Sequence, residues 1–138
     1  MNIDIGFDPV IAQLGPFQLG WHGVFTAIAV VVAIRVAAVI GEREGVQADT
    51  VYNLAGWGVV GGLVGARVFH VADHLSFYLA NPLLIPAVWE GGIAVYGAFI
   101  GGLVAGGIAA WRAQLPVWRL LDVAAPAMLV GQAIGRIA

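Results

Sequence analysis

From Val24 to Ile34 the chain carries no charge and a single hydroxyl, Thr26, and stretches of similar character follow from about Val51, Gly91 and Leu120. A backbone in hydrocarbon must satisfy its own N–H and C=O groups, so runs of this kind fold as bilayer-spanning helices of about 20 residues each. Composition agrees: 61% hydrophobic residues, 10% charged residues and a mean hydropathy of +0.93 over 138 residues lie outside the range of a soluble domain. The expectation is an all-α membrane protein with about four transmembrane helices, a single transmembrane domain over residues 1–138.

The formal charge of -2 gives no electrostatic case for nucleic acid, and the six basic residues are all arginine and scattered. With no cysteine, disulfides, a thiolate nucleophile and Cys-ligated metal are excluded.

Met1 to Gln18 carries Asp4 and Asp8 but no basic residue, so it lacks the positive n-region of a signal peptide and is expected to be retained. Its prolines break any regular period, which suits a short interfacial segment or an unstructured tail. The first span is expected from Leu19 to Ile40, followed by a charged loop, Gly41 to Gly45, with Asp49-Thr50 as N-cap of a second span from Val51 to Val71. Gly58/Gly62 and Gly61/Gly65 permit close helix approach. Asp73 to Val88 reads as a loop with an aromatic belt, Phe77, Tyr78 and Trp89. The third span is expected from Gly91 to Arg112, with Gly97/Gly101 and Gly102/Gly106 repeating the spacing, and the fourth from Leu120 to Ala138.

Arg35 and Arg43 flank the first loop, Arg112 and Arg119 the third, while the second loop has no Lys or Arg. Positive charge stays inside, so the N-terminus and the second loop are expected outside and the first and third loops in the cytoplasm. Placed by depth at about 1.5 Å per residue, His22, Arg67, His70, Glu90, Tyr96 and Arg136 then fall near the outer headgroup level on four helices. Charges there are costly unless paired or lining a wet cavity, which marks a functional site. A guanidinium binds phosphate through a bidentate fork and stays protonated, so Arg67 and Arg136 suggest a phospholipid phosphate as ligand. The structural alternative pairs Arg67 with Glu90 or Asp73 and lets Arg136 snorkel. His70 and His74 lie one turn apart, but no third ligand follows, so no metal is expected. Gly91, Gly92 and Gly97 would leave room for a lipid against the backbone.

Phe7-Asp8-Pro9-Val10-Ile11, Leu14-Gly15-Pro16, Trp21-His22-Gly23, Gly65-Ala66-Arg67, Trp89-Glu90-Gly91-Gly92, Tyr96-Gly97 and Gly135-Arg136 together resemble the N-terminal half of prolipoprotein diacylglyceryl transferase. The resemblance spans essentially the whole chain and rests on the order and spacing of the motifs. It implies a multi-pass enzyme of the bacterial inner membrane that moves the diacylglyceryl group of phosphatidylglycerol onto the lipobox cysteine thiol of a preprolipoprotein, releasing glycerol phosphate, with no cofactor. It also implies that Arg136 binds the lipid headgroup and that Tyr96 stands where many members carry a catalytic histidine. His22 stands where a tyrosine is usual, so the two types are exchanged; an imidazole titrates near neutrality, whereas a phenol, with a pKa of about 10, is a donor rather than a base at pH 7. Members of the family continue past the Gly-Arg pair, so the domain is expected to be incomplete at its C-terminus. The alternative is a non-enzymatic helical packing or transport subunit whose glycine faces join partner helices.

Overall fold

The structure, a computed structural model, describes residues 10–15, 17–88 and 91–137. Its elements in order are the strands β1 (Val10–Leu14) and β2 (Phe17–Gly20) and the helices α1 (Trp21–Arg43), α2 (Ala48–Asp73), α3 (Leu75–Ala80), α4 (Val95–Arg112) and α5 (Val117–Gly135), with a 3-10 turn at Pro82–Leu84. Four of them, α1, α2, α4 and α5, are long and apolar enough to cross a membrane, and the all-α expectation holds for the spans.

The segment before α1 differs from expectation. Val10–Leu14 and Phe17–Gly20 pair antiparallel as a hairpin, with Leu14 opposite Phe17 and Gln13 opposite Gln18. Gly15, at φ +63°, supplies the positive φ that so tight a turn demands. Residues 1–9, on which the Phe7 to Pro9 motif falls, lie outside the described residues, as do Pro16, Trp89, Glu90 and Ala138.

The helix ends also shift, for local reasons. The expected loop Gly41 to Gly45 is largely the last turn of α1, closed by two main-chain bonds: Val46 N–H to the Gly41 carbonyl at 2.8 Å and Gly45 N–H to the Glu42 carbonyl at 3.2 Å, with Gly45 at φ +80°. That is a Schellman ending. Helix α4 ends the same way, Leu115 N–H meeting the Ala110 carbonyl at 3.0 Å, but the left-handed residue is Gln114, φ +59°. Asp49-Thr50 is not the cap of α2: the helix begins at Ala48 after Gln47, without a side-chain cap, and Asp49 lies within its first turn, where a carboxylate favours the helix dipole. Helix α4 starts at Val95 rather than Gly91, because Gly91 and Gly92 hold φ of +85° and +77°, outside the right-handed helix. Helix α5 accommodates Pro126 internally, leaving the Asp122 carbonyl without its i+4 donor.

Packing divides the spans into two antiparallel pairs. In α2–α4, Gly58, Gly61, Gly62 and Gly65 face Gly102, Gly101, Ala98 and Gly97, main chain against main chain. In α1–α5, Gly131 faces Ala29 and Ala33. The pairs join at the end bearing Arg43 and Arg112: Ala38, Val46 and Val51 form a buried cluster with Ala37, Ala48 and Leu120 packed on it. There, too, Arg35 Nη1 donates to the Tyr52 hydroxyl at 3.0 Å. Gly106 takes no part in close approach, with open space where a Cβ would stand.

Candidate functional site

Arg67, near the far end of α2, is buried with only 7% of its surface exposed. Its Nε donates to the Ile85 carbonyl at 2.8 Å, Nη1 to the carbonyls of Gly91 at 2.8 Å and Gly92 at 3.2 Å, and Nη2 to that of Leu84 at 2.6 Å. The guanidinium carbon lies 5.2 Å from the centroid of the buried Tyr78 ring, within the range of a cation–π contact. A charge this buried needs such partners: carbonyl oxygens supply acceptors and partial negative charge where hydration is lost.

The sequence explains why the acceptors arrive there. Pro82 begins the 3-10 turn and a further bend follows at Pro86, and the left-handed Gly91 and Gly92 turn their carbonyls back toward α2. The connection is pinned a second time by Ala94 N–H, which donates to the Ala66 carbonyl at 3.1 Å. A side chain on Gly92 would collide with the His70 ring. His70 in turn stacks on His74 with centroids 4.5 Å apart and meets Tyr78 edge-on at 5.9 Å.

These contacts redistribute the expected roles. Among the described residues Arg67 makes no ion pair, with Asp73 or otherwise, and Glu90, the other carboxylate expected beside it, lies outside them. Gly97, expected to admit a lipid, is buried with its Cα turned to the Gly65 carbonyl and the Phe69 side chain, so its missing side chain admits a helix instead. Gly92 similarly admits His70. Gly91 alone of the three has open space beyond its Cα. Sequence reasoning missed Tyr78 and the carbonyls of Leu84 and Ile85; the signal available was a tyrosine and two prolines in a short connection beside an intramembrane arginine.

Tyr96 is the second residue of α4 and 82% exposed. Gly97 packs between Gly65 and Phe69, which sets Tyr96 at about the level of Arg67. On the other pair, Gly131 lies opposite the midpoint of Ala29 and Ala33. From that level Arg136 stands about 7 Å and His22 about 13 Å toward the hairpin end, one turn apart. Both are exposed, and among the described residues neither ring nor guanidinium has a side-chain partner. His22, Tyr96 and Arg136 thus share one end of the bundle without touching. A recess of about 620 Å³ lies at the opposite end, lined by Thr50, Asn53, Trp57, Ile108 and Arg112, and holds none of these residues.

The sequence model of the family described as Prolipoprotein diacylglyceryl transferase matches residues 9–138. Among curated relatives, a Phosphatidylglycerol–prolipoprotein diacylglyceryl transferase of Lactiplantibacillus plantarum is 39% identical over 137 residues, 99% of this chain and 49% of the relative. The protein of the same name from Synechocystis is 41% identical over 128 residues, 93% of this chain and 45% of the relative, and that of Trichormus variabilis 38% identical over 128 residues. The chain spans about half the length of the curated relatives it matches. With nearly the whole chain, residues 9–138, matched by the family model, this chain belongs to the prolipoprotein diacylglyceryl transferase family.

Proposed function

We propose that this chain forms part of a bacterial inner-membrane transferase that moves the diacylglyceryl group of phosphatidylglycerol onto the lipobox cysteine thiol of a preprolipoprotein. The observation that carries the reading is Arg136: an exposed guanidinium at the C-terminal end of α5, without a side-chain partner among the described residues, in a chain whose relatives are named for phosphatidylglycerol. An arginine in that condition is available to an anionic headgroup.

The reaction is an alkyl transfer. The cysteine sulfur bonds to the glycerol carbon, the carbon–oxygen bond to phosphate breaks, its electron pair leaves with glycerol phosphate, and the thiol proton passes to a base. Catalysis therefore requires a clamp on the phosphate charge and a group that orients or deprotonates the thiol. Arg136 is assigned the clamp, and His22 and Tyr96 the thiol; Gly91, with open space at its Cα, is where the lipid approaches main chain. No cofactor enters this scheme. The packing-subunit alternative rested on glycine faces seeking partners, and Gly97 and Gly101 are already occupied inside the chain by Gly65 and Gly61.

In a full-length protein containing residues 1–138, Arg136→Ala is expected to lower transfer of labelled diacylglycerol to a lipobox peptide by at least about a hundredfold, the scale of losing one charge-stabilising group. Wild-type rates in that variant would remove Arg136 from the site.

A further inference from the structure

We infer that Arg67 is a positioning residue: its guanidinium is the internal tie that joins residues 84 and 85 to residues 91 and 92 and so fixes the start of α4, leaving recognition of the lipid phosphate to Arg136. Two arginines at similar depth in one family site invite the reading that both grip phosphate. Their surroundings differ too much for that. Arg67 is buried and spends Nε, Nη1 and Nη2 on four main-chain carbonyls drawn from both ends of the 84–92 segment. Arg136 is exposed. A phosphate approaching Arg67 would have to displace the carbonyls of Ile85, Gly91 and Gly92, which have no other donor among the described residues, and buried unpaired carbonyls are costly.

The arrangement also explains why arginine stands here rather than lysine. The acceptors belong to residues on either side of the connection, 84 and 85 before it and 91 and 92 after it, and a planar fork reaches both sets at once where an ammonium cannot. Ala87, only 3% exposed, is held inside the tied segment, and Ala94 and Tyr96 follow directly from it. The tie therefore sets where Tyr96 stands without Arg67 touching a substrate.

The chain has no native cysteine, which allows a direct test. Single Ala87→Cys and Val46→Cys reporters, buried at opposite ends of the bundle, are exposed to a water-soluble maleimide in lipid nanodiscs. Arg67→Lys and Arg67→Ala should each raise labelling at the Ala87→Cys reporter at least tenfold while the Val46→Cys reporter stays protected, and Arg136→Ala should change neither. Unchanged labelling at the Ala87→Cys reporter, or equal opening at both reporters, would overturn the inference. The labelling needs no turnover, so it stands apart from the transferase reading on which the phosphate half of the inference rests. That half is read in the full-length protein: Arg67→Lys should lower kcat with KM for phosphatidylglycerol unchanged, Arg136→Lys should raise KM, and the reverse pattern would overturn it.

Discussion

The α2–α4 and α1–α5 pairs solve one packing problem with different surfaces. In lipid there is no hydrophobic drive between helices, so association depends on close contact. Helices α2 and α4 achieve it by removing side chains, glycine opposite glycine through Gly61, Gly65, Gly97 and Gly101. Helices α1 and α5 meet through alanines with Gly131 between them. The first pair carries the tied connection and Tyr96, the second carries the exposed His22 and Arg136. The tighter interface thus supports the loop main chain around Arg67 together with the exposed Tyr96, and the looser one the exposed His22 and Arg136.

The same substitution should separate the two pairs most sharply. Gly97→Ala puts a Cβ into the Gly65 carbonyl and the Phe69 side chain, so the helices must part, at a cost of about 3 kcal/mol. Gly131→Ala brings its Cβ to 3.0 Å from Ala33 Cβ and 3.3 Å from the Ala29 carbonyl, a squeeze worth about 1 kcal/mol. Reversible unfolding in mixed micelles measures both, and equal costs would break the comparison. A smaller, opposite effect is expected at the basic end. Gln114 occupies the left-handed position that Gly45 fills on α1, so Gln114→Gly should stabilise α4 by about 0.5–1 kcal/mol. A loss of stability there would mean that the Gln114 side chain contributes more than its backbone costs.

The spans were legible because hydrocarbon leaves the backbone few options. Depth alone brought His22, Tyr96, Arg67 and Arg136 to one end of the molecule. What depth could not show was direction. Whether Arg67 turns to solvent or back onto its own chain depends on the φ of Gly91 and Gly92, and the sequence shows only that these positions tolerate such values. Gly97 was read correctly as a point of close approach and assigned the wrong visitor, because a glycine does not reveal whether lipid or helix fills its missing volume. The hairpin is not legible because its pairing segments are only five and four residues long, too short for a period to declare itself.

The tie at Arg67 also constrains how the chain is assembled. Its acceptors lie 17 to 25 residues downstream, so as α2 enters the bilayer during synthesis the guanidinium has nothing yet to hold. It sits six residues before the end of α2 at Asp73, about 9 Å below that end, shallow enough for a long side chain to reach the headgroups in the interval. Its four acceptors are complete only once the segment leading into α4 is in place, so the hydrogen bonds that hold this charge inside the bundle belong to a late-arriving part of the chain.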